Sequence, residues 1–146
     1  MNHWIKIDIK QNWSTVLRQK PPLAGISAEN KKLFSAVNPG DILWFYAINP
    51  VRGVIGFGRI MKKYKDEKKP VFITELRMRK VMFPLRFKLK DVVSFEAGDW
   101  EDKHINIGDF ALTWTEEFQP LLDNHSKKLI ARAERSFRME FNEYLG

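Results

Sequence analysis

The stretch AVNPGDILWFYAINPVRGVIGFGRI, residues 36–60, constrains the fold more than any other part of the chain. Asn38-Pro39-Gly40-Asp41 must end whatever helix precedes it, because proline pushes the residue before it out of the helical region. ILWFYAI then runs apolar and aromatic at the length of a buried strand. NPVRG is turn chemistry, and VIGFGRIM reads as the returning arm of a hairpin, with Gly56 and Gly58 leaving room for another backbone or for a ligand. Such a hairpin either fills a core or forms one wall of a pocket that accepts something flat.

The flanking segments extend this arm into a sheet. Residues 3–9 alternate around β-branched side chains and read as a strand. Asn12 then offers an N-cap for a short helix that Lys20-Pro21-Pro22 stops. Ser27 is placed to cap a second helix over 28–37. Beyond the hairpin, residues 62–69 read as a charged loop and residues 71–79 and 81–89 as two more strands. The later one places Val81, Phe83, Leu85, Phe87 and Leu89 on one face and Met82, Pro84, Arg86, Lys88 and Lys90 on an open basic face, with Pro84 arguing for an edge position. Residues 94–109 are turn-like, and Thr115 caps a predicted short helix to about residue 122, with Glu116 and Glu117 in its first turn. Ile130, Ala133, Phe137, Phe141 and Tyr144 recur at helical spacing, so the tail is an amphipathic helix that docks on its own domain or on a partner. The expected fold class is α+β: a curved, mostly antiparallel mixed sheet closing toward a small β-barrel, with flanking helices. The domain is expected over 1–123, with a C-terminal helix over 124–146 packed on it.

Composition narrows the chemistry. With no cysteine, disulfides, thiolate metal sites and cysteine nucleophiles are excluded, and His3, His104 and His125 are too widely spaced for a metal-ligand pattern. No cofactor motif is present: there is no Walker loop, dinucleotide fingerprint or Gly-x-Ser-x-Gly. No run approaches a membrane span and the first residues lack signal-peptide character, so the expected protein is soluble and cytoplasmic. The net charge of +7 is unevenly spread: residues 59–90 hold 12 Lys/Arg against three acids, and residues 91–123 hold nine acids against Lys103 alone. A surface of that kind attracts phosphate backbones, unless its charges pair with the acidic segment. Arg59, Lys62, Lys63, Arg77, Arg79, Arg86 and Lys88 are the expected backbone contacts.

The order HWIKIDIKQNW, a helix, AGISAENKKLF, NPGDILWFYA and GVIGFGRI resembles the EVE domain of the PUA-like superfamily, most closely over residues 3–60. The likeness continues more weakly through LRMRKVMFPLRFKL and residues 108–122; the tail beyond Asn124 lies outside it. It implies a β-barrel whose pocket takes a modified or flipped base, related to the YTH domains that bind methylated adenine in RNA. Carried over by position, the pocket would hold Asp8 at the end of the first strand, then Leu23, Gly25 and Ser27 from a loop over 23–27, and Asn30 on the following helix. Phe45 and Tyr46 would form a wall, and Trp100 with His104 a late closing loop. The sequence departs from the relatives at Leu23 or Ala24, where they carry a cage tryptophan, and at Ile9, where they favour a polar residue.

Reading a base out of its stack needs flat apolar surface, a few polar atoms for the base edge and a positive rim. Tyr46 offers a ring and a hydroxyl, or else packs in the core. Asp8 accepts from an exocyclic amine, or else closes a local bond at the strand end. Trp100, in the polar loop AGDWEDKH, has no periodic reason to be buried and reads as a ligand contact. Trp4, Trp13, Trp44 and Trp114 lie beside apolar residues and read as core, His3 and His125 as solvent-facing, and His104 as structural or as a donor to the ligand. The reading is a non-enzymatic nucleic-acid-binding module for DNA or RNA, with a protein partner or self-association through the tail helix as a further option. The alternatives are a sensor of a free nucleotide or nucleoside, or a protein-interaction domain; third comes a nucleic-acid hydrolase using Asp99, Glu101 and Asp102.

Overall fold

The computed structural model describes residues 1–146. The first strand, β1 (His3–Asp8), lies parallel to β3 (Ile42–Ala47), in register from His3 opposite Ile42 to Asp8 opposite Ala47. A parallel pair needs a crossover. It is supplied by α1 (Lys10–Arg18), β2 (Leu23–Ile26), a 3₁₀ turn over Ala28–Asn30 and α2 (Lys31–Ala36). The hairpin partner β4 (Gly53–Lys65) is antiparallel to β3, β5 (Leu85–Ser94) to β4, and the short β6 (Phe118–Pro120) to β1. The strand order is β2-β5-β4-β3-β1-β6, so β1–β3 is the single parallel pair in a six-stranded mixed sheet. The sheet curls into a half-barrel: the two edge strands approach, and the Ser27 N–H donates to the Glu117 carboxylate at 2.7 Å across the gap.

Both faces of the central strands are covered, which is why ILWFYA is apolar without alternation. Inside the curl, Leu43 and Phe45 pack with Trp13 of α1, Trp4, Phe87, Phe118 and Trp100. On the outer face, Ile42, Trp44 and Phe57 pack under α4 (Asp123–Phe137) and α5 (Phe141–Leu145) through Leu129, Ala133 and Phe141. The tail thus covers its own sheet. Each such buried side chain contributes about 1.5–3 kcal/mol, which no solvated helix would gain. Arg138, with φ 52°, breaks the tail into two helices where the pattern suggested one. The room left by Gly56 is taken by another backbone: a Cβ there would lie 2.8 Å from the Ser94 Cα of β5.

Several sequence expectations are corrected. Residues 71–79 are not a strand: α3 (Ile73–Met78) forms there. The buried Glu75 side chain accepts the N–H groups of Val71 and Phe72 on one oxygen and of Met82 and Phe83 on the other, which binds two loops to one carboxylate. Lys62 to Lys65 belong to β4, not to a loop, and Pro84 precedes β5, an interior strand and not an edge. Residues 23–26 form a buried strand where a loop was expected. No helix follows Thr115; the chain turns there and enters β6. Asn12 is not an N-cap but sits buried within α1, whose N-cap is Ile9. His125 is buried against Phe110, and His3 is half-buried against Trp44, so neither faces solvent as expected.

Candidate functional site

Trp4, Lys6 and Asp8 alternate onto the inner side of β1, so the strand carries a lysine into the curl. Lys6 is 1% exposed. Its ammonium lies 2.8 Å from Asp8 Oδ2, donates also to the Gly25 carbonyl, and sits over the Phe83 ring at 4.7 Å. A buried ammonium survives only when its donors are matched in this way. The Asp8 carboxylate also accepts the Ile9 N–H at 2.8 Å and the Asn12 amide at 2.9 Å. Asn12 ties this centre to α3 by donating to Thr74 Oγ1 and accepting the Thr74 N–H. Three donors therefore hold Asp8, leaving room for one more bond on Oδ2.

The C-terminal end of β1 is consequently a polar mouth. Across it, Glu117 Oε1 accepts both the Ser27 N–H and the Asn30 amide at 2.7 Å, while Glu117 Oε2 has no protein partner. Beside these groups lies an open groove of about 440 Å³ lined by Ser27, Glu29, Asn30, Thr115, Glu116 and Glu117. On the opposite side of the strand end, the Trp114 ring stands 5.0 Å from that of Tyr46. Trp114 is 44% exposed. Burial holds the Tyr46 hydroxyl above its ordinary pKa, with Arg52 acting in the other direction, so this hydroxyl remains a donor.

The structure places Ser27 and Asn30 on this groove, joins Asp8 to Gly25 through Lys6 beneath the end of β1, and sets Tyr46 across from Ile7 of the same strand. It does not bring in the rest of the expected pocket. Leu23 is a buried strand residue at the far end of β2, and Phe45 is wholly buried against Trp13, 4.7 Å between ring centroids. Trp100, expected as a ligand contact, is a core residue. It is 2% exposed and its indole N–H donates to the Phe95 carbonyl. The glycine-containing acidic loop turns the indole inward because that carbonyl and the inner apolar core receive it. His104 follows it, bonding the Trp100 carbonyl through Nδ1 and packing against Gly53. The exposed indole is instead Trp114, which sequence reasoning assigned to the core. Asp99, Glu101 and Asp102 do not converge: Asp99 pairs with Lys103, Glu101 with Lys10, and Asp102 is exposed.

The basic segment also divides. Arg86 is expected on an open face, yet it is buried, bonded to the Phe83 and Lys69 carbonyls and paired with Glu75 and Asp66, because residues 66–84 fold back over that strand. Lys63 donates to the Phe34 and Ser35 carbonyls at the end of α2, and Arg59 is half-buried, 3.9 Å from Asp91. Lys88 is half-buried over the Tyr64 ring. Lys65 is exposed but pairs with Glu67 at 2.8 Å. The other seven cations of this segment are free: Lys62, Lys68, Lys69, Arg77, Arg79, Lys80 and Lys90 are exposed and make no ion pair. Arg59–Asp91 is the one ion pair between the basic and the acidic segments, so pairing does not neutralise this surface.

Three solved structures are similar to this chain in fold. The ASCH protein of Zymomonas mobilis superposes with a TM-score of 0.63 at 15% identity, covering 89% of this chain and 94% of its own. The YTH domain of Mmi1, in complex with RNA, gives 0.56 at 10% identity over 95% of this chain and 84% of its own. Human THYN1, in complex with DNA containing 5-methylcytosine, gives 0.57 at 10% identity over 90% and 96%. The chain has a PUA-like fold. No family model and no curated protein matches the sequence. In this PUA-like half-barrel, the mouth lies where the first parallel strand ends, between the two edge strands. Lys6 and Glu117 were missed by sequence reasoning. The signal for Lys6 was its position: a lysine at an inward step of a strand that had to be buried on both faces.

Proposed function

We propose that this chain is a nucleic-acid-binding module without catalytic activity, in which exposed cations hold the phosphate backbone and the mouth at the end of β1 reads a base. The observation that carries this reading is the set of seven exposed cations between Lys62 and Lys90 that have no carboxylate partner. Unpaired lysines and arginines gain counterion-release free energy on a polyanion, whereas paired ones do not. Similarity to the RNA-bound YTH domain and the DNA-bound THYN1 supports the same reading. At the mouth, the free oxygen of Glu117 and the remaining position on Asp8 are acceptors, suited to an exocyclic amine such as N4 of cytosine or N6 of adenine. Trp114, next in sequence to Thr115 of the groove, supplies an exposed ring on which a neighbouring base stacks. A methylated or otherwise modified base is the ligand this mouth is proposed to select.

Fluorescence anisotropy with labelled RNA and DNA oligonucleotides, each with and without a methylated base, tests this. The triple variant Lys68→Glu, Lys69→Glu, Arg79→Glu should weaken all of them alike. Glu117→Gln should weaken only those whose base presents an amine to the mouth. Wild-type affinity retained in the triple variant would refute the backbone surface.

A further inference from the structure

We infer that α3 is an apolar wedge, and that the partner it fits is a base-stacked duplex of DNA or RNA, one step of which it parts beside the mouth. The inference rests on the nucleic-acid reading above and adds the form of the partner and the means of access to the base.

Two apolar side chains on this helix are left in water: Leu76 is 53% exposed and Met78 59% exposed. They are set among cations, with Arg77 between them and Arg79 and Lys80 immediately after, all exposed and unpaired. Lys68 and Lys69 lie in the same folded-back segment, held to it by their N–H bonds to Asp66, which Arg86 anchors. Two apolar groups are too few for other occupants. A helix that lies in a bilayer surface needs a long apolar face, and a stable protein interface buries about 800 Å² per partner around an apolar, charge-depleted centre. Parting a base step, by contrast, takes one or two apolar side chains flanked by phosphate contacts. Charge complementarity thus selects the polyanion among the occupants.

A wedge also has to be rigid, since a flexible one would yield before the stack does. α3 is fixed at both ends. Glu75 receives four backbone N–H groups from the loops on either side of the helix, and Arg86 neutralises it at 3.3 Å. Thr74, in the first turn, bonds Asn12, which bonds Asp8 in the mouth. A base released by the wedge therefore leaves its stack next to the group proposed to read it. Parting a step is unfavourable, and the phosphate contacts of the cations on both sides of the apolar residues offset it.

The test uses the full chain with 2-aminopurine placed once in a duplex and once in the matching single strand. Binding of wild type should raise the duplex fluorescence by severalfold, because unstacking relieves its quenching. The double variant Leu76→Ala, Met78→Ala should abolish that rise and weaken duplex binding about tenfold or more, while single-strand affinity stays within about twofold. Its thermal unfolding should match wild type, as both side chains are exposed. Single-strand binding with no fluorescence rise in the duplex, or a rise that survives the double variant, overturns the wedge and leaves the nucleic-acid reading standing. No binding to any oligonucleotide overturns both. Duplex-independent binding to anionic phospholipid vesicles, or self-association, that disappears in the double variant also overturns the inference in favour of that occupant.

Discussion

Replacing Trp100 and Trp114 with alanine, one at a time, separates the core from the interface in a single pair of proteins. Trp100 is 2% exposed and donates its indole N–H to the Phe95 carbonyl, so truncation removes a large core side chain and takes that donor away. A substitution of that kind costs about 3–5 kcal/mol. For a chain of this length each kcal/mol lowers the melting temperature by about 2–4 °C, so Trp100→Ala should melt roughly 6–20 °C below wild type. Trp114 is 44% exposed and touches Tyr46, and its loss should change stability by no more than about 0.5 kcal/mol. A base stacked on it contributes about 1–3 kcal/mol, so Trp114→Ala should weaken oligonucleotide binding about 5- to 150-fold. The assays are thermal unfolding by circular dichroism and anisotropy titration, with affinity expressed per folded molecule. A Trp100→Ala protein that melts like wild type but loses its ligand would overturn the assignment of the two indoles, as would a Trp114→Ala protein with unchanged affinity.

Three further outcomes follow from the same contacts. Lys6→Met should cost about 3–5 kcal/mol in urea unfolding, because it leaves the largely buried Asp8 carboxylate and the Gly25 carbonyl short of a donor, whereas an unpaired surface lysine such as Lys62 should tolerate methionine. His3 accepts the Trp44 N–H on Nδ1 and desolvation holds its pKa below the ordinary value, so its contribution is complete above the unfolded pKa of about 6.5 and is lost as pH falls below it. His3→Gln should flatten the loss of stability between about pH 7 and pH 5 in urea titrations; an unchanged profile would place the sensitivity elsewhere. Truncating residues 124–146 should uncover Trp44 and Phe57 and lower the melting temperature of the monomer, while loss of self-association alone would mean that the tail serves an interface.

The hairpin at the centre of the sheet is legible because every local signal agrees there: proline before it, an unbroken apolar run, turn residues and paired glycines. α3 is not legible. FITELRMR carries the β-branched and aromatic residues of a strand, and what makes it helical is a buried carboxylate whose partners lie in the loops on both sides, Val71 and Phe72 before it and Met82 and Phe83 after it. Arg86 was misplaced for the same reason: strand alternation put it on an outer face, but only the tertiary fold shows that residues 66–84 cover that face. At the mouth, Asp8, Ser27 and Asn30 are named only by position, through the resemblance to the EVE domain; no local pattern in the sequence singles them out as site residues. Glu117 is not among them, since its role depends on two edge strands meeting around a curled sheet, which no local pattern encodes. The two tryptophans exchange roles because an acidic loop does not by itself keep an indole in water: the Trp100 side chain has the Phe95 carbonyl and the inner apolar core to receive it.

The salt dependence of binding tests the central claim most directly. Each phosphate neutralised on a single strand or a duplex contributes about −0.7 to −0.9 to the slope of log K against log salt concentration, so contact by four to seven of the unpaired cations predicts a slope between about −3 and −6. Anisotropy titrations of an unmodified oligonucleotide across a series of salt concentrations measure it. A slope in that range, reduced by about three contacts' worth in the Lys68→Glu, Lys69→Glu, Arg79→Glu variant, is the expected result. A slope near zero, or one that the variant leaves unchanged, would contradict the account.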